Sequence, residues 1–333
     1  MGDAVSSFAH TLSALRAAGE HSRLRLLLLL HKGELTVTEL TSLLGQSQPR
    51  VSRHLKVLAE AGLVERFQEG TWVFYRLAPG AVDSAIAPIF APGGVALLDE
   101  DQAAFEDIQS RRAALAAAYF AEKAEEWEDL RRRHIPETEI ETALLSMAPD
   151  EVDVFLDLGT GTGQMLSVFA DRCQSGIGVD VSPEMLMIAR SRVLASGAGH
   201  LQLRRGDFLV DPLPQGVDLV CLHHVLHFLA APEAAIGVAA KALGARGQIL
   251  IADFAPHDHE DLREAHAHRR LGFSSAEIAE WGARHRLVLT DDRELAAPLS
   301  GGLVTKLWRL EKAPSAARAA APLPEVKRDN VVR

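Results

Sequence analysis

The residues best suited to chemistry begin at Asp157-Leu158-Gly159-Thr160-Gly161-Thr162-Gly163, directly after the apolar run Val154-Phe155-Leu156. Glycines at this spacing allow a tight turn and let the backbone approach a ligand at the start of a helix. Such a loop alone serves NAD, FAD or a methyl donor equally. Its surroundings narrow the ligand. Asp180 closes the next apolar run, 23 residues after Asp157, where a carboxylate can accept both hydroxyls of a ribose. Val181-Ser182-Pro183-Glu184-Met185 then opens a helix whose Val181 and Met185 can flank a base. Gly206-Asp207-Phe208 follows a third apolar run, with Asp207 available to an exocyclic amine and Phe208 beside it.

A second group is rich in histidine. His223, His224 and His227 cluster after a fourth apolar run, and a near-neutral imidazole there can take a proton from a hydroxyl or amine. His227 is the first candidate for a general base, with capping or packing as its competing role. His224 is the second candidate, or else a pocket wall, and His223 is placed against the cofactor. Downstream, Asp253-Phe254-Ala255-Pro256-His257-Asp258-His259-Glu260 precedes His266 and His268. His257, His259 and Glu260 are near enough in sequence to share a metal, but a pocket rim or a solvated loop accounts for them equally, and no metal site is assigned.

The third group lies near the N-terminus. Thr38 to Leu44 reads as one helix closed by Gly45, and Ser47 and Pro49 open another. Val51, Leu55 and Leu58 share that second helix's inner face, while Gln48, Arg50, Ser52, Arg53, His54 and Lys56 lie on its outer and flanking surfaces. Gln and Arg can read base edges in a major groove, and Lys56 suits a phosphate. Two alternating runs joined through Glu69-Gly70 make a hairpin wing carrying Arg66 and Arg76.

Charge supports this division. The chain has a net charge of −10, but residues 1–77 carry 9 basic and 7 acidic groups and the rest carries 26 and 38. A local basic face can engage DNA while the acidic bulk repels it, which argues against nucleic acid as the substrate of the second half. The leucine run 26–30 is too short to span a membrane, and no secretion signal is evident. With Cys173 and Cys221 as the only cysteines, a reducing cytoplasm is expected.

The elements that must position these groups follow from periodicity. Helical patterns at 8–18, 22–31, 37–44 and 48–61 precede the wing, giving a first domain over 1–80. Residues 79–98 are rich in Pro and Gly, and 99–133 reads as one long helix. The region 81–135 is therefore expected to link the halves, to dimerise and to cover the cofactor. Strand-like runs at 152–158, 176–180, 201–205, 217–222, 247–253, 286–290 and 304–311 alternate with helices over 136–312, predicting a mostly parallel seven-stranded α/β sheet. Residues 313–333 read as a disordered tail.

Two resemblances sharpen these expectations. Residues 8–78, through Ser22 to Leu30, Ser47 to Val64 and the wing Gly70-Thr71-Trp72-Val73-Phe74-Tyr75-Arg76-Leu77, resemble the ArsR/SmtB family of winged helix-turn-helix repressors. That resemblance implies a homodimer releasing double-stranded operator DNA when an effector binds. Many members sense thiophilic metals through cysteines near the DNA-binding helices, yet no cysteine precedes Cys173 here. Residues 115–311 resemble the Rossmann-like class I S-adenosylmethionine-dependent methyltransferases of the ubiquinone-biosynthesis and arsenite-methylating type, on the glycine loop, Gly178-Val179-Asp180-Val181-Ser182-Pro183-Glu184-Met185-Leu186 and Asp218-Leu219-Val220-Cys221. There the loop, comprising Asp157, Gly159, Thr160, Gly161 and Gly163, implies a hold on the methionine part of S-adenosylmethionine or S-adenosylhomocysteine. Tyr119-Phe120 to Trp127 resembles the family's cover helix, so Tyr119 and Trp127 are expected to close over the donor or simply to pack. Arsenite methylation is disfavoured by the shortage of sulfur ligands.

Two readings stay open. The chain is either a DNA-binding regulator whose second half senses the adenosyl ligand, with small-molecule methyl transfer as a further activity, or a small-molecule O-, N- or C-methyltransferase that uses its winged helix to dimerise. The long helix 99–133 is the expected connection between the halves.

Overall fold

The computed structural model describes residues 2–69, 72–78, 80–81, 84–91, 93–122, 136–265, 268–295 and 302–313. Helices α1 (Gly2–Ala18), α2 (His21–His31), α3 (Val37–Leu44) and α4 (Gln48–Glu60) enclose a leucine-rich core with Leu26, Leu27, Leu29, Leu30, Leu40, Leu55 and Leu58 fully buried. Strands β1 (Leu35–Thr36), β3 (Trp72–Leu77) and β2 (Val64–Glu69) form an antiparallel wing in the order β1-β3-β2. The two-residue β1 escapes periodicity because it is too short to alternate. Gly70 and Thr71, at the expected hairpin turn, lie outside the described residues.

Local signals fix the ends of the helix-turn-helix. Thr36 and Glu39 form a reciprocal capping box on α3, which ends at Gly45 in a left-handed conformation with φ 60°. Ser47 stands at the N-cap of α4 with Pro49 in the first turn, but its side chain makes no capping hydrogen bond.

The Pro/Gly-rich stretch contains a short helix, α5 (Ala87–Phe90), and leads into α6 (Asp99–Glu122). This region is part of the first core: Ala81, Ile86, Phe105 and Ile108 are buried with the leucines of α2 and α4. Arg112 of α6 donates to Glu39 from Nε at 2.9 Å and Nη2 at 2.7 Å. Burial alone would raise the Glu39 pKa, but the adjacent Arg112 guanidinium together with the Thr36 hydrogen bonds holds the carboxyl below its ordinary value. The expected continuation of this helix over 123–133, with Trp127, lies outside the described residues, as do the side chain of Tyr119 and the tail from 314.

The second half begins with α7 (Glu137–Met147) and builds one seven-stranded sheet. Its strands are β4 (Val152–Leu158), β5 (Cys173–Asp180), β6 (Leu201–Arg205), β7 (Val217–His223), β8 (Leu243–Phe254), β9 (Leu287–Leu295) and β10 (Thr305–Lys312). They run in the order β6-β5-β4-β7-β8-β10-β9. β6, β5, β4, β7 and β8 run parallel to one another, while β10 is antiparallel to both β8 and β9. Helices α8 (Gln164–Val168), α9 (Pro183–Ser196), α10 (Pro232–Ala242), α11 (Asp261–Ala265) and α12 (Ser275–Arg284) complete the α/β fold. The strand order reverses between β4 and β7, so their carboxyl ends open a crevice, the place where such sheets take ligands. Among the described residues no helix is long and apolar enough to cross a membrane.

Candidate functional site

The glycine loop leaves β4 at that crevice. Gly159, Gly161 and Gly163 all have positive φ, at 72°, 52° and 75°. Each glycine answers a different demand. A Cβ on Gly159 would fall 2.0 Å from Val225 Cγ2, and one on Gly163 would fall 3.0 Å from Ala189 Cβ of α9. One on Gly161 would meet nothing within 4 Å, so the loop faces open space there.

Side chains pin this turn. Asp157 is buried and accepts a hydrogen bond from Thr160 Oγ1 at 2.5 Å, while its Oδ1 is buried without a partner. Burial is the largest influence on Asp157 and raises its pKa to about 6. Asp180, at the end of β5, accepts from the Gly161 amide through Oδ2 at 2.8 Å and from the Ser182 amide through Oδ1 at 2.9 Å. Each oxygen keeps a further lone pair for a ribose hydroxyl. Ser182 caps α9 by accepting from the Met185 amide, which leaves Met185 half-buried and Val181 exposed beside Asp180. Asp207 is exposed and accepts from the Leu209 amide at 2.9 Å, whereas Phe208 is turned into the sheet's core rather than alongside Asp207. The crevice fits an adenosyl ligand on three counts: an unsatisfied buried carboxylate oxygen, open space above Gly161, and a carboxylate fixed at the end of β5.

The histidines converge at the ends of β7 and β8. His223 Nε2 lies 3.4 Å from Glu137 Oε2. His224 adopts a left-handed backbone, φ 51°, held by its amide donating to the Ala252 carbonyl at 2.8 Å. A non-glycine residue in this region carries strain that its surroundings must support. His227 is buried, and its Nδ1 lies 2.7 Å from Asp253 Oδ1. Asp253 is itself fully buried and accepts from the amides of Leu226, His227 and Phe254 at 2.9, 3.3 and 2.8 Å. The carboxylate selects the tautomer with a proton on Nδ1, which leaves Nε2 as the basic nitrogen.

Around this pair, the His227 ring lies 4.2 Å from His268 and 5.0 Å from Phe254 between centroids. His257 stands beyond Phe254; burial first, then the neighbouring His259 and His227, lower its pKa. His257 Nδ1 accepts from the His259 amide at 3.3 Å, so these two residues structure their own loop. The groups of histidines and carboxylates compact enough to hold a metal, among the described residues, are instead Glu137, His223 and His224, and His224, His227 and Asp253. Asp253 and Glu137 carried no role in the sequence reading. His266 lies outside the described residues.

On α4, Gln48, Arg50, Arg53 and Lys56 are exposed and Ser52 is half-buried. Lys56 lies 3.8 Å from Glu60, while Arg50 and Arg53 make no ion pair among the described residues. His54 departs from the outward set: its ring is turned against α1–α2, with Nδ1 3.5 Å from Glu20. Arg76 of the wing also faces inward, donating to Glu65 at 2.8 Å.

Comparison with known proteins follows the same division. Residues 20–66 match the bacterial regulatory protein arsR family, and residues 156–251 match a methyltransferase domain. The chain is 43% identical over 74 residues to the arsenical resistance operon repressor of Escherichia coli, covering 22% of this chain and 63% of the repressor. An uncharacterized HTH-type transcriptional regulator of Methanocaldococcus jannaschii is 38% identical over 72 residues, 21% of this chain and 81% of its own length. The chain thus spans only about half to two thirds of the curated arsenic-resistance regulators it matches, at 63%, 51% and 56% of their lengths. The second half is similar to an uncharacterized methyltransferase of Bacillus subtilis, YcgJ, at 29% over 105 residues, 31% of this chain and 42% of that protein. The crystal structure of YcgJ superposes with a TM-score of 0.45 at 18% identity, covering 53% of this chain and 98% of YcgJ.

Proposed function

Because the chain belongs to the arsR family of bacterial regulatory proteins and carries a methyltransferase domain, we propose that it is a DNA-binding transcriptional regulator whose second half takes S-adenosylmethionine or S-adenosylhomocysteine as its effector. The observation that carries this reading is the buried, unsatisfied Asp157 Oδ1 beside a glycine loop clamped by Asp180. Loop amides and carboxylates prepared in this way favour a ligand with hydroxyl and ammonium donors. The DNA partner is double-stranded operator, met by Gln48, Arg50 and Arg53 at base edges and by Lys56 at phosphate, with Ser52 at the flank. Phe8 and Leu15 of α1 are exposed apolar surface for the second copy of a homodimer. The absence of cysteine before Cys173 shifts the effector away from a soft metal at the helix-turn-helix.

The test is to titrate S-adenosylhomocysteine into the full chain by calorimetry and to measure its affinity for a duplex enriched from a random library, with and without that ligand. Ligand binding with an altered duplex affinity supports the reading; ligand binding with no change at all refutes it.

The His227–Asp253 pair favours a second activity, methyl transfer to a small acceptor. The adenosyl donor would supply an electrophilic methyl group on its sulfonium. His227 Nε2 would take the acceptor's hydroxyl or amine proton, with Asp253 holding the ring and stabilising the charge it gains. His224 would form the neighbouring wall. Radiolabelled methyl transfer to a panel of phenols and amines, reduced about a hundredfold or more by His227→Ala, is the expected outcome. Equal transfer by that variant would remove His227 from the reaction.

A further inference from the structure

The two halves meet along a seam formed by the long helix α6 and by the turn between α2 and β1, both packed against α9. Glu34, between α2 and β1, is buried at the seam. Its Oε2 accepts from Arg190 Nε of α9 at 3.2 Å, and its Oε1 accepts from the Leu203 amide of β6 at 3.2 Å. Arg76 of β3 lies 3.5 Å from the same Oε1. The Arg190 guanidinium also sits over the Phe74 ring, 4.2 Å from its centroid, so a single side chain of α9 touches both the helix-turn-helix and its wing. Leu194, one turn further along α9, is buried in the first core, and its carbonyl accepts from Gln109 Nε2 at 2.7 Å. The space left among Gly33, Glu34, Arg190, Val193, Leu194, Leu201 and Leu203 is only about 10 Å³.

The same helix is fastened to the glycine loop at its other face. Arg192 Nη1 donates to Thr162 at both its carbonyl and its Oγ1, each at 2.9 Å. Gly163 packs against Ala189, the residue before Arg190. The N-terminus of α9 follows directly from Asp180 through the Ser182 cap. Along residues 182–194, one rigid helix therefore contacts the loop, the ribose-binding carboxylate, the wing and the first core.

We infer that α9 transmits occupancy of the adenosyl crevice to the DNA-binding half through the Arg190–Glu34–Phe74 contact. The inference rests on the proposal that the crevice binds the adenosyl ligand. A ligand that donates to the remaining lone pairs of Asp180 and lies against Gly161 bears on the groups that fix the loop and the α9 N-terminus, and so biases the position of both. Because Arg190 is shared between Glu34 and Phe74, a shift of α9 must either carry the wing with it or break a buried ion pair. Coupling of this kind requires a second packed arrangement with a different wing position, and the shared Arg190 is the place where the two would part.

The test measures S-adenosylhomocysteine binding by calorimetry, and selected-duplex affinity with and without that ligand, for wild type, Glu34→Gln and Arg190→Ala. Both variants are expected to bind the ligand within about threefold of wild type, and their ligand-dependent change in duplex affinity is expected to collapse toward onefold. Variants that keep the full wild-type change overturn the inference while leaving the effector reading intact. A wild type that binds ligand without any change in duplex affinity overturns the reading and the inference together. Should both variants misfold, hydrogen exchange on wild type decides. Ligand-dependent change at 31–36 and 72–77 supports the coupling, and unchanged exchange there overturns it.

Discussion

Helix α4 and the glycine loop, the two regions proposed to meet ligands, handle charge in opposite ways. On α4, Arg50 and Arg53 stand in water without ion pairs among the described residues, so keeping them charged costs little, and a phosphate that arrives displaces only counterions. At the loop, Asp157 is sealed from water with one oxygen unsatisfied, a desolvation cost that persists until a ligand supplies the missing partner. The exposed surface suits reversible, salt-sensitive contact. The buried one is preorganised, and its strain makes the empty and filled crevice different states of the protein.

The comparison breaks most readily at the loop's tightest point. Gly159→Ala places a methyl group 2.0 Å from Val225 Cγ2 at φ 72°, and S-adenosylhomocysteine affinity by calorimetry should fall by more than about a thousandfold, roughly 4 kcal/mol. Duplex binding of the ligand-free protein should hardly change. Near-normal ligand affinity would mean that the loop is soft rather than preorganised.

The cost of burying Asp157 has its own signature. Its folded-state pKa is raised from 3.8 to about 6, so between those values the native protein holds a proton that the unfolded chain has released. Stability of the ligand-free protein should therefore fall as pH rises from about 4 to about 6, by up to about 3 kcal/mol, and stay low above that range. Asp157→Asn should remove this component in urea unfolding measured across the same range. An identical pH dependence in wild type and variant would show that the site is less isolated from water than its burial implies.

The exposed side predicts smaller effects. Arg50→Ala or Arg53→Ala should each weaken duplex binding about tenfold or more and relax sequence preference, with ligand affinity unchanged. Lys56→Ala should cost only about two- to threefold, evenly across sequences, with a shallower salt dependence. If Lys56 instead proved more selective than the arginines, the division of α4 into base-reading and phosphate-holding positions would be wrong.

What the sequence made legible is what local pattern controls. The leucine spacing of α4, the glycine at 45, the strand runs and the glycine loop are each set by residues within a few positions of one another, and the structure contains all of them. The inward turn of His54 was hidden, because helical spacing places it at a flank and only the Glu20 carboxylate decides which way it faces. Phe208 lies beside Asp207 in sequence but belongs to the apolar core, where burying an aromatic ring outweighs leaving it at a crevice rim. Asp253 and His227 are 26 residues apart and meet because β7 and β8 are parallel neighbours. The link between the halves was legible in part: the long helix α6 reaches the second half, with Gln109 donating to the Leu194 carbonyl, but a second contact lies outside it. Arg190 and Glu34 are 156 residues apart, and no periodicity in either segment announces the other.

Gly199 lies on the turn between α9 and β6. A methyl group there would fall 1.7 Å from the His31 carbonyl oxygen at the end of α2. The absence of a side chain at this one position is what lets the regulator half seat flush on the edge of the sheet. The halves are consequently not interchangeable cassettes. A foreign regulatory head grafted onto this sheet would need its own acid to receive Arg190, a ring beneath it and a backbone able to nestle against a bare glycine. A cut made after the wing would leave Phe105, Ile108 and Leu194 facing water.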